Sequence, residues 1–215
     1  MIRSYFKVAF RNFAREKFYS FLNILGLSVG IAVTLIIALF VVHEKSFDTF
    51  HDGADRIYRI AMHLEVGGNP SDVNATFPGL AAAMEADMPE IEKAVRAFAL
   101  NGQILRNGAK VFSEDNVIYV DAGFLDVFDF KLLHGGKNGL LSNPNTIVLT
   151  EKLALKYFST DNPAEVVGQS IIVNQETYSI TGIVEEAPMN SHIEYSALAS
   201  ITSLKQGKSP DWDNL

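Results

Sequence analysis

The sequence predicts an α+β protein. It should have an N-terminal amphipathic helix and one transmembrane helix, followed by an extracytoplasmic split β-α-β unit with an inserted small mixed, mostly β subdomain. Three observations predict this. Residues 18–42 contain no Asp, Glu, Lys, Arg or His. Five basic side chains and one acid precede that run, a net +4, whereas residues 43–215 carry a net −11. Beyond residue 54, stretches that alternate apolar and polar residues take turns with stretches of helical period.

The N-terminal elements come first. In "RSYFKVAFRNFAREKFYSF" the cations Arg3, Lys7, Arg11 and Arg15 recur every four residues. On a helical wheel Arg3, Lys7 and Arg11 share a flank, Arg15 drifts from it, and Ile2, Tyr5, Phe6, Ala9 and Phe13 fill the opposite arc. Residues 1–17 therefore predict a helix lying in the membrane interface, rings in the acyl boundary and cations towards anionic headgroups. Residues 18–42 follow as the span. At about 1.5 Å per residue they exceed the roughly 30 Å hydrocarbon core. "ALFVVHEKSF" offers no small-x-small cleavage site, so the segment reads as an uncleaved anchor. Basic residues before the span and acidic ones after it place the N-terminus in the cytoplasm and residues 43–215 outside. Within the span, Gly26, Gly30 and Thr34 line up at four-residue steps and predict a face for close helix packing.

The exported part is expected to run as follows. "RIYRIAMHLEV" alternates, with Tyr58, Ile60, Met62, Leu64 and Val66 on one face, and predicts a half-buried strand that "GGNPSD" breaks. "TFPGLAAAMEADMPEIE" predicts a helix with Pro78 in its first turn and a stripe of Leu80, Ala81, Met84 and Met88. "EKAVRAFAL" then completes a β-α-β order. "QILRNGAKVFS" predicts a hairpin turning at Asn107-Gly108 in type I′ geometry. "NVIYVD" is a strand and "AGFLDVFDF" a short helix. "NTIVLTEKLALKYF" reads as a strand and then a helix capped by Thr150, burying Leu153, Ala154, Tyr157 and Phe158. "GQSIIVNQETYSITGIVEE" is a second hairpin about residues 174–176, and "SHIEYSALASI" a last strand. The split unit is assigned to 54–100 and 190–215, the insert to 101–189.

No constellation suggests catalysis. The Gly-Lys pair at 136–137 lacks the remainder of a phosphate loop. His43-Glu44 and His51-Asp52 have neither helical nor hairpin ligand spacing, so no metal and no cofactor is expected. Ser191-His192 lacks a nucleophile elbow. Asp48, Asp52, Asp55 and Arg56 read as turn-forming residues. The acidic exported part argues against nucleic acid, which needs a basic surface. Without cysteine there is no disulfide.

Four blocks in order carry a family resemblance: "FKVAFRNFAREKFYSFLNILGLSVGIA", "HEKSFDTFHDGADRIYRI", "FDFKLLHGG…SNPNTIVLTEKLALKYF" and "YSITGIVEEAPMNSHIEYSAL". Together they resemble the N-terminal part of MacB/FtsX-type ABC transporter permeases. The resemblance implies that 43–215 is a MacB-like periplasmic core domain, a porter-like split unit holding an inserted subdomain. It implies a non-catalytic permease subunit of the cell inner membrane. The implied partners are a separate ATP-binding subunit, a second permease copy in a homodimer or heterodimer, and the lipid bilayer. ATPase-driven motion would reach the periplasmic domain to export peptides, antibiotics or lipoproteins, or to regulate envelope enzymes without transport. In place of a short Gly and Asp-Pro-Ile-Gly turn this chain has the longer "STDNPAEVVGQ". It ends at "SPDWDNL", where such permeases complete the unit and continue into further spans, so an N-terminal fragment is expected. The rival reading is a stand-alone membrane-anchored sensor or ligand-binding domain.

Overall fold

The computed structural model describes residues 5, 11, 15–66, 69–137 and 139–204. It divides into two units between Phe47 and Asp48.

In the first unit, helix α1 spans Lys17–Glu44, and none of its residues is buried. Among the described residues it is the one helix long and apolar enough to cross a membrane. It outruns the uncharged run by one residue at the start and by His43 and Glu44 at the end, because helical backbone tolerates charge where it reaches water. Lys45 N–H closes the last turn on Val41 O at 3.0 Å, and Ser46 Oγ donates to His43 O at 2.7 Å. These bonds satisfy carbonyls the helix end leaves open.

The second unit is built on a nine-stranded mixed sheet with a separate two-stranded hairpin. The hairpin pairs β1 (Met62–Val66) with β2 (Asn69–Val73). The predicted strand from Arg56 onward is thus shortened: Tyr58 and Ile60 precede it and lie exposed, having no neighbouring strand to pack against. The predicted break contains β2 instead. Pro70, which has no N–H to give, is accommodated in a strand with only one neighbour. Helix α2 (Leu80–Asp87) follows, with Leu80, Ala81 and Met84 half-buried, while Met88 has left the helix and is exposed.

Next come β3 (Ala97–Leu100), β4 (Gln103–Asn107), β5 (Lys110–Glu114), β6 (Val117–Val120), α3 (Phe124–Val127), β7 (Leu132–Gly135) and β8 (Thr146–Thr150). Then α4 (Glu151–Tyr157), β9 (Ser170–Val173), β10 (Glu176–Val184) and β11 (Ala197–Ser200) complete the unit. The order across the sheet is β3-β6-β11-β8-β10-β9-β4-β5, with β7 also on β10. Although chain order runs strand, helix, strand over β1, α2 and β3, β1 pairs with β2 and β3 with β6, so they join different sheets. β11, from the stretch 190–215, lies between β6 and β8 of the predicted insert. The predicted partition of residues 43–215 therefore falls within one sheet.

Turn chemistry explains the hairpins. Asn107 pairs with Lys110, leaving Gly108-Ala109 as the turn, of which only Gly108 has positive φ. That is the requirement of type II′, not the expected type I′, because alanine resists positive φ. The turn 174–175 has positive φ at both residues. Asn174 Oδ1 there accepts Ile104 N–H at 2.9 Å, tying one hairpin to the other.

Both sheet faces are covered near the centre. On one face, Ile147, Leu149, Ile180 and Ile183 meet Leu153, Ala154, Tyr157 and Phe158 of the α4 segment. On the other, Val148, Val120 and Leu198 meet Phe124, Phe130, Leu140 and Leu141. All five β8 residues are consequently buried, which suits the continuous run "TIVLT". Thr150 caps α4 as expected, its hydroxyl accepting Leu153 N–H at 3.3 Å. Thr150→Ala should destabilise the domain by about 1 kcal/mol, read from the urea midpoint at unchanged slope.

Candidate functional site

The geometry that stands out lies directly after the apolar helix. Three residues separate the end of α1 from Asp48, where the second unit begins. Asp48 takes φ +55°, a left-handed conformation that aspartate tolerates better than most residues. Its N–H donates to Asn190 O at 2.9 Å. Its carboxylate receives His192 N–H on Oδ1 at 3.0 Å and His192 Nδ1 on Oδ2 at 2.7 Å. Burial alone would raise the Asp48 pKa, but these contacts with His192, aided by Ser191, outweigh it and hold the carboxyl below its usual range.

One turn further, a second pair of bonds crosses to the segment after α3. Asp52 N–H donates to Asp129 Oδ2 at 2.6 Å, and Asp129 N–H donates to His51 Nδ1 at 3.0 Å. The His51 ring enters an aromatic box, 4.0 Å from Phe50, 5.3 Å from Phe128 and 5.1 Å from Phe130 between centroids. Phe130 stands edge-to-face with Tyr195 at 4.8 Å, and the Tyr195 hydroxyl donates to Glu185 O at 2.8 Å. Burial raises the Tyr195 pKa, so it stays a neutral donor. Residues 48–52 thus form a strap held at two points: a polar one at 190–192 and an aromatic one at 128–130.

The predicted sites fall as follows. Gly26 and Gly30 lie on α1 with open space where a Cβ would stand, and Thr34 Oγ1 donates to Gly30 O at 2.8 Å. Arg11 and Arg15 are helical and exposed, whereas Arg3 and Lys7 lie outside the described residues. Ser191 Oγ is engaged with Ile193 O at 3.2 Å, and His192 turns to Asp48, so the two do not form a nucleophile and base. Among the described residues, no group of three or more His, Asp or Glu side chains is placed to hold a metal ion.

Sequence reading placed Asp48 and Asp52 in a turn, which they do occupy, but missed the strap. The available signal was the pair of aromatic clusters "FDTFH" and "FLDVFDF", whose rings now meet.

A helix fit to cross a bilayer, followed in the chain after three residues by a strapped α+β domain, defines a membrane-anchored protein. Comparison with known proteins agrees. The profile of the MacB-like periplasmic core domain matches residues 20–214, and the chain belongs to that family. The uncharacterized ABC transporter permease YvrN of Bacillus subtilis (strain 168) is 23% identical over 194 residues, covering 84% of this chain and 46% of YvrN. The chain thus spans about half the length of that relative. A domain of a putative permease from Porphyromonas gingivalis shares the fold at a TM-score of 0.60 and 22% identity, over 72% of this chain and 65% of that one. The periplasmic region of MacB from Actinobacillus actinomycetemcomitans aligns at a TM-score of 0.47 and 19% identity, over 60% of this chain and 56% of that one.

Proposed function

We propose that this chain is the N-terminal part of a permease subunit of a MacB/FtsX-type ABC transporter. In this reading α1 crosses the inner membrane, the N-terminus is cytoplasmic and 43–215 is the periplasmic core domain. A separate ATP-binding subunit drives the motion, a second permease copy completes the transporter, and the exported cargo is a peptide, antibiotic or lipoprotein. Gly26, Gly30 and Thr34 form the face on which a neighbouring helix packs. Arg3, Lys7, Arg11 and Arg15 form the interfacial basic face. We further assign 54–100 with 190–215 to the porter-like unit and 101–189 to its inserted part.

The single observation that carries this reading is the strap. A displacement of α1 can act on the sheet only if the intervening chain is short and pinned. Three residues followed by the bonds of Asp48 meet that condition. The test inserts a ten-residue Gly/Ser segment between Phe47 and Asp48 of the complete permease. A flexible segment of that length spans roughly 16–19 Å and relaxes any pull. Export should fall to background while ATP hydrolysis and membrane insertion persist. Undiminished export would rule out transmission through this link. A reporter fused after Ser203 should be active only outside the cytoplasm.

A further inference from the structure

His51 is chemically out of place. All five histidines are among the described residues, and of these His51 alone is buried, 5% exposed. Its Nδ1 accepts the Asp129 N–H, which puts the neutral ring's proton on Nε2, and Nε2 has no hydrogen-bond partner. A phenylalanine would fill an aromatic box without that orphaned donor, whose burial is unfavourable. What a histidine adds here over phenylalanine is the unprotonated Nδ1 that accepts the Asp129 N–H.

We propose that the strap is a pH-dependent latch. It holds while His51 is neutral, and it releases residues 48–52 from the 128–130 turn when His51 takes a proton on Nδ1. Protonation sets two N–H donors against each other across 3.0 Å and buries a cation among Phe50, Phe128 and Phe130. Turning the ring over does not help, since a carbon then faces the Asp129 N–H.

Several ionisable groups surround the ring. Asp48 and Asp129 favour the proton, though Asp48 is committed to His192 and Asp129 Oδ2 to the Asp52 N–H. The carboxylate of Asp52 follows on the same turn. Tyr195 stands beyond Phe130, and Lys131 lies towards Glu185 at 3.8 Å. Burial outweighs the two acids and pushes the His51 pKa below its ordinary value. The released histidine binds protons more readily than the latched one, so the latch is at full strength above about pH 6.5 and weakens as pH falls below it.

The release concerns the strap itself; its meaning for coupling rests on the permease reading. The experiment is amide hydrogen exchange of the full chain in lipid nanodiscs at pH 7.5 and 5.5, corrected for intrinsic rates. Protection of the Asp52 and Asp129 amides should fall by up to about tenfold at the lower pH, while β8 amides stay unchanged. In His51→Asn, whose amide oxygen accepts without titrating, protection should be flat with pH. Invariant protection in the wild type, a gain at low pH, or the same step in His51→Asn would overturn the latch. So would loss of the step in His192→Asn. Should His51→Asn fail to fold, 15N-histidine NMR of the unaltered chain decides. His51 Nδ1 must change from acceptor to protonated together with strap release, and a ring that stays neutral through release overturns the proposal. The linker insertion described above can fail without affecting this result, and the reverse also holds.

Discussion

Replacing Phe130 with alanine is expected to destabilise the second unit by roughly 3–5 kcal/mol and to loosen the strap at the same time. Phe130 is 6% exposed and has ring neighbours on several sides: Phe50 at 5.8 Å, His51 at 5.1 Å, Phe124 at 6.1 Å and Tyr195 at 4.8 Å between centroids. Removing it deletes apolar area from one face of the sheet. It also opens a cavity that the flanking rings cannot close, because they are held by three separate segments, around residues 50–51, 124 and 195. Urea unfolding should show the loss as a lower midpoint, and exchange at Asp52 should quicken at neutral pH, where the wild-type latch is closed. A loss below about 1 kcal/mol would mean that these rings do not share a core.

Gly135→Ala is expected to be nearly as damaging, about 3 kcal/mol or more, though the residue carries no side chain to lose. Gly135 ends β7 at φ +111°, a backbone state that L side chains rarely adopt. An added Cβ would stand 2.6 Å from Thr181 O and 2.9 Å from Gly182 Cα. Both are backbone atoms of β10 and cannot swing aside. The strand pairing Gly135↔Gly182 should break, so exchange protection at Ile183 and His134 should drop together with the midpoint. An alanine variant of wild-type stability would mean that β7 does not approach β10 this closely.

Several elements of the fold are encoded by signals that lie close together in the chain. The helix after Thr150 was legible down to its cap and its buried residues, because capping, period and the preceding apolar strand lie within fourteen residues of one another. The second hairpin was legible for the same local reason, although its turn is 174–175, one residue shorter than expected, because Glu176 already pairs with Val173. The β2 strand was not, because a Pro- and Gly-containing segment becomes a strand only through its pairing with β1. Nor was β7, which has no alternation of its own and is defined by β10. In the candidate site, Asp48 and Asp52 were readable as turn residues but not as anchors, since their partners are His192 and Asp129, 144 and 77 residues away.

By itself, then, the sequence determined the uncharged helix, the charge asymmetry across it, the α+β class and those elements whose signals are local. Tertiary structure alone decided which strands became neighbours and that residues 48–52 would be pinned to two distant segments. The physical reason is that capping, turns and periodicity act over a few residues, whereas a buried imidazole or a glycine-only crossing acquires its meaning from atoms that folding brings from far along the chain.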